Sequence, residues 1–149
     1  VAFSDNAIAF LERKEAATFA ELQRLRGQAE NDLRTGATWK DQTGAARLRL
    51  FAKVTRLNER TFLFTLSHGV QYGRYFEKGT GIYGPNKRPI VIKATTKRGL
   101  YWGAERGGKP LIVKKVINPG MKARPIVGPT AEKYKKEIRD SLLDLWGAR

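Results

Sequence analysis

The stretch RLRLFAKVTRLNERTFLFTL, residues 47–66, decides the fold class. Leu48, Leu50, Ala52 and Val54 alternate with Arg47, Arg49, Phe51 and Lys53, which is the two-residue period of a strand with one face turned to a core. Residues 57–60 read as a turn, after which Phe62, Phe64 and Leu66 alternate with Thr61, Leu63 and Thr65. Two such runs with a short connection predict an antiparallel hairpin. The second run carries apolar residues on both faces, which predicts a central strand with a helix over at least one face.

Upstream, residues 5–35 read as one long helix. Ser4 or Asp5 can cap it, and Glu12 and Glu15 lie on the favourable side of its dipole. Ile8, Leu11, Phe19, Leu22, Ala29 and Leu33 form a thin apolar stripe, Gly36 is a natural stop, and Gly27 is a place to bend or fray. Residues 38–47 form a polar turn around Trp39.

Downstream, residues 68–78 suit a short helix with Val70, Tyr72, Tyr75 and Phe76, ended by Gly79-Thr80-Gly81. Residues 79–110 are rich in glycine, proline and lysine, with short strands expected at 90–94 and 100–102. Without a continuous apolar pattern, this segment is expected to be loose until it is held by a partner. A further strand follows at 111–117, then a turn at Pro119-Gly120. A last amphipathic helix over 130–146 places Tyr134, Ile138, Leu142, Leu145 and Trp146 on one face. The sum is a single α+β domain, 1–149. It has a long N-terminal helix, an antiparallel sheet of about four strands within 46–118 with a short helix and the insertion 79–110, and a C-terminal helix.

The 149 residues are 41% apolar, enough for a core without staples. Zero cysteines exclude disulfides and thiolate metal sites, and the single histidine, His68, excludes a histidine-rich one. No apolar run approaches the roughly 18 residues of a membrane span. Charge is the outlying property: 29 basic residues against 14 acidic ones give +15. Residues 87–124 alone hold eleven basic groups and one acid, Glu105. Such a segment faces water, nucleic acid or an acidic protein surface. Lys87, Arg88, Lys97, Arg98, Lys114 and Lys115 are its electrostatic candidates.

The search for chemistry ends without a catalytic, cofactor or metal site. His68 neighbours Ser67, but adjacent strand residues point to opposite faces. Gly79, Gly81 and Gly84 match G-x-G-x-x-G, yet helix precedes and strand follows, the reverse of a dinucleotide loop, and the lysine–hydroxyl pair of a phosphate loop is missing. Glu77 and Arg124 sit beside apolar neighbours and are expected in structural ion pairs. Tyr83, Tyr101 and Trp102 among cations offer stacking surfaces for single strands, without the signature of any base-reading module.

Three stretches together resemble a known family: WKDQTGAAR at 39–47, SHGVQYGRYFEKGTG at 67–81, and PGMKARPIVGPT at 119–130 before an amphipathic helix. Their order resembles the neck, head–tail connector or tail-completion proteins of lambdoid long-tailed bacteriophages. Ile126 stands where that family often has phenylalanine, and residues 82–118 form a longer, more basic insertion. The resemblance implies a virion structural protein without catalytic residues or cofactors, made in the host cytoplasm. It also implies a six- or twelve-fold ring between the portal or adaptor and the tail tube, around passing double-stranded DNA, with no membrane and no small-molecule substrate. Trp39, Tyr72, Tyr75, Glu77 and Arg124 are then the candidates for assembly contacts. The alternative expectation is a basic nucleic-acid-binding module without base-specific readout.

Overall fold

The computed structural model describes residues 2–41, 43–96, 98–102 and 111–147. The elements are α1 (Ala2–Gly36), α2 (Ala45–Leu48), β1 (Phe51–Asn58), β2 (Thr61–Ser67), α3 (Gly73–Lys78), a 3-10 turn (Gly81–Tyr83), β3 (Ile90–Lys93), β4 (Leu100–Trp102), β5 (Leu111–Val113), β6 (Lys115–Asn118) and α4 (Val127–Trp146). The α+β class holds. The chain expected as one domain divides into two compact units, residues 1–73 with 125–149, and residues 74–124.

The first unit is built on the hairpin. β1 and β2 pair antiparallel, with Ala52 opposite Leu66, Val54 opposite Phe64 and Arg56 opposite Phe62. Cross-strand partners share a face, so these apolar residues form one surface, over which α1 and α4 lie. Leu25, Ala29, Ala52 and Tyr134 form the buried centre, with Phe64, Leu66 and Ile138 packed against it. Leu22, Leu25, Ala29 and Leu33 recur at helical spacing along α1 and are all buried. α1 runs unbroken through Gly27, where a Cβ would meet open space.

Five details depart from the sequence reading. α1 already starts at Ala2, so Ser4 and Asp5 lie inside it instead of capping it. Among the described residues β2 pairs with β1 alone, so it is not a central strand, and Leu63 on its far face is 49% exposed. Leu48 does not belong to the strand: Gly44 enters the left-handed region at φ 73°, the chain makes the short turn α2, and Leu48 points to solvent while Leu50 is fully buried. α4 starts three residues earlier than expected and takes in Gly128 and Pro129. A proline costs little there, because first-turn N–H groups have no partner inside the helix. α3 begins only at Gly73, not at 68, after a turn closed by the Gly73 N–H on the Val70 carbonyl.

The second unit is a two-stranded ribbon on a backbone clasp. β3 pairs antiparallel with β6, and β4 with β5. Among the described residues the expected sheet of about four strands is thus three separate two-stranded ladders. The expected strand 111–117 breaks at Lys114, where the ladder made with β3 gives way to the one made with β4. Lys97 and residues 103–110 of the insertion lie outside the described residues.

Candidate functional site

The first of the three family-like stretches closes the end of α1. The last carbonyls of a helix have no intrahelical donors. Arg47 supplies one and ties down the chain beyond: its guanidinium donates to the carbonyl of Arg34 in α1, to that of Ala37 at 3.1 Å and that of Trp39 at 3.2 Å after the helix, and it is paired with Asp41. A cation at this end also suits the helix dipole. Trp39 donates its indole N–H to Asp41 at 3.2 Å and packs on His68 with ring centroids 6.0 Å apart. Both rings are buried. Trp39, expected as an assembly contact, therefore spends its surface inside the first unit.

The second stretch opens in the same place. Gly69 has φ 60°, and a Cβ on it would stand 2.4 Å from the Arg49 carbonyl oxygen. A Cβ on Gly73 would stand 2.3 Å from the His68 Cβ. The glycines allow His68 to sit under the turn, which is a packing role. The Ser67 hydroxyl accepts the Gly69 N–H at 3.4 Å.

The end of the second stretch and the start of the third meet in the second unit. The Thr80 N–H donates to the Met121 carbonyl at 2.9 Å, the Ile82 N–H to the Pro119 carbonyl at 2.8 Å, and the Met121 N–H to the Thr80 hydroxyl at 2.9 Å. The Arg124 N–H donates to the Phe76 carbonyl at 2.6 Å. Backbone meets backbone so closely that side chains are excluded. A Cβ on Gly81 would lie 2.1 Å from the Pro119 oxygen, and one on Gly120 2.1 Å from the Thr80 oxygen, at φ 62° and 95°. This is what the glycine pattern at 79–84 is for, and it also fixes the start of the segment expected to be loose.

Of the other assembly candidates, Tyr72 and Tyr75 are 46% and 42% exposed, and Arg74 lies over the Tyr75 ring and donates to its hydroxyl. That contact raises the Arg74 pKa. Glu77 is half-buried. Arg124 departs from expectation: its side chain is exposed, so no desolvation demands a partner, and it forms no ion pair with a described carboxylate. Its contribution is the main-chain bond to Phe76. The electrostatic candidates Lys87, Arg88, Arg98, Lys114 and Lys115 are all exposed on or beside the ribbon.

Two further features belong to the first unit. The core stripe of α1 continues past its packing partners: Ile8 is 55% exposed and Leu11 43%, with Phe3 and Phe10 also bare. Beside it, a groove of about 550 Å³ is lined by Leu11, Leu22, Phe62, Phe64, Leu142 and Trp146. The stripe itself was the available signal, since residues 5–35 outrun the length of any strand they could cover. The second feature is a polar knot at the edge of the core, in which Tyr134 is buried and Asp32 and Lys133 reach solvent. The Tyr134 hydroxyl donates to Asp32 at 2.9 Å, and Lys133 bonds the same carboxylate at 2.7 Å. The lysine bond lowers the Asp32 pKa, while burial and then Asp32 push the Tyr134 hydroxyl well above the ordinary tyrosine value.

Among the described residues no group of three acids or histidines is placed to hold a metal ion, and no helix is long and apolar enough to cross a membrane. No protein-family model, curated protein or solved structure matches the chain.

Proposed function

We propose that this protein is a structural subunit of the neck of a long-tailed bacteriophage, assembling head-to-tail into a ring that joins the head's portal or adaptor to the tail tube around passing double-stranded DNA. The observation that carries the reading is the uncovered apolar surface of the first unit. Ile8 and Leu11 continue a stripe whose later members Leu22, Ala29 and Leu33 are buried, and they border an open groove with Phe62 and Trp146 in its wall. A contiguous apolar patch of this kind marks a contact with another protein. A ring closes by such contacts when one patch meets a different patch on the neighbour. The resemblance of residues 39–47, 67–81 and 119–130 to the neck family supports it further, since the first stretch caps α1 in the first unit and the other two meet in the clasp of the second.

Sedimentation of the subunit alone and with its portal, with electron microscopy of the neck, tests this reading. Rings expected in the mixture should be lost in Ile8→Asp/Leu11→Asp, with the melting temperature unchanged. A chain that stays monomeric under all conditions and is absent from the virion neck would overturn it. The second reading, a basic nucleic-acid-binding module, is favoured by the ribbon. Salt-dependent duplex binding without any assembly would put it first.

A further inference from the structure

We propose that the ribbon of the second unit is a reader of duplex phosphates, centred on Lys93 and Lys115. The register puts these two lysines directly opposite each other. Direct cross-strand partners stand on the same face with their Cβ atoms about 5 Å apart, and like charges placed so destabilise the pair. Both are exposed, and neither forms an ion pair with a described carboxylate. The next residue, Lys114, adds its charge at the break, where its carbonyl accepts the Ala94 N–H at 2.9 Å, and Arg98 lies exposed in the bend. The opposite face of the β3–β6 ladder carries Ile90, Ile92, Val116 and Asn118, with no charge. The register thus sorts the ladder's charge onto one side.

A short ribbon is marginally stable even without internal repulsion. An anion laid across the lysine pair removes that repulsion, so binding and ribbon stability are linked. Duplex DNA suits the ribbon better than an acidic protein does. It presents about one negative charge per 1.7 Å without interspersed cations, and its major groove admits a two-stranded ribbon. The described ribbon residues also include no acid with which a protein's own basic groups would pair. The absence of a base-reading motif makes the contact one of charge and width. The inference does not depend on ring assembly, because the free subunit is sufficient to test it.

The experiment titrates the full chain into two short labelled duplexes of unrelated sequence between roughly 50 and 200 mM salt. Alongside, it follows amide exchange in residues 90–93 and 115–118. Both duplexes should bind alike. In Lys93→Gln/Lys115→Gln the slope of log affinity on log salt should flatten by about 1.8, or 0.9 per lost phosphate contact. DNA should slow exchange in the wild-type ribbon. Without DNA, the double variant's ribbon should exchange more slowly than the wild type's, because the repulsion is gone. Lys93→Glu, able to pair with Lys115, should protect the free ribbon most and bind duplex least. The control Lys135→Gln/Lys136→Gln removes the same charge from an exposed stretch of α4 and should leave the slope unchanged. An equal loss in that control, an unchanged slope in the ribbon variant, or free ribbon exchange no slower than wild type would each overturn the proposal. So would poly-glutamate binding as tightly as duplex with the same lysine dependence, which would assign the ribbon to an acidic protein.

Discussion

The two units are held by different forces. In residues 1–73 with 125–149, Leu25, Leu33 and Leu50 are fully buried, and the fold closes over side chains. In residues 74–124, the only buried positions among the described residues are Gly79 and Gly84. That unit is closed by main-chain hydrogen bonds between 76–82 and 119–124. The first form of cohesion scales with apolar area removed from water. The second depends on backbone shape, since each bond adds only about 1 kcal/mol net but needs its partners in register. A side-chain core tolerates changes of shape at a graded cost, whereas a backbone clasp at positive φ tolerates almost none.

The largest effect should come from the side-chain core. Leu25→Ala or Leu33→Ala should cost about 2–5 kcal/mol of unfolding free energy in a denaturant titration. The same truncation at exposed Ile90 or Ile117 should cost much less. Equal losses would erase the distinction between the units.

Next comes the clasp. Gly120→Ala places a methyl group against the Thr80 carbonyl in a conformation that costs non-glycine residues about 1–3 kcal/mol before any clash. Amide exchange should accelerate at residues 79–84 and 115–121 while the amides around Leu25 keep their protection. Loss of protection in both units together would mean that they unfold as one.

The polar knot at Tyr134 sharpens the comparison through pH. Asp32 is held below its ordinary pKa by Lys133, so its stabilisation is full above the unfolded carboxylate value and is lost as pH falls through the folded one. Tyr134 is shifted upward, so its contribution is intact below the ordinary tyrosine value of about 10 and is lost as pH rises past it. Tyr134→Phe should cost about 1 kcal/mol near neutrality and flatten the alkaline limb of the melting-temperature profile. An unchanged alkaline limb would remove Tyr134 from that role. The smallest effect is expected at Arg124→Ala, within about 0.5 kcal/mol of wild type, because only its main chain takes part in the clasp. A loss of several kcal/mol would restore the ion pair expected from sequence.

What could be read from sequence followed the same division. Alternation at 50–54 and 62–66 and helical spacing along α1 and α4 announce surfaces that side chains must cover, and those elements stand where periodicity places them. Strands at 90–93 and 100–102 were likewise legible. The clasp was not, because it joins Gly79–Gly81 to Pro119–Met121 across forty residues of chain, and glycine in both segments is equally compatible with an ordinary turn. Arg47 belongs to a recognisable stretch, but its task of capping α1 is set by where the chain returns after Gly36. Leu48 was misplaced because the left-handed Gly44 starts a helical turn that alternation does not register. The charge excess was plain, yet only the register brings Lys93 and Lys115 together. The break at Lys114, which separates two short ladders, has no marker beyond two adjacent lysines in an apolar run.

The clasp also makes the length of the insertion adjustable. Thr80 and Met121 are hydrogen-bonded neighbours, so the polypeptide leaves and re-enters the base of the second unit at nearly one point. Whatever is spliced between them inherits a closed doorway. Doubling such a loop adds only about 0.6 kcal/mol of closure entropy. Reach and charge can therefore be exchanged between variants of this protein as a cassette, leaving the helices, the hairpin and their core untouched.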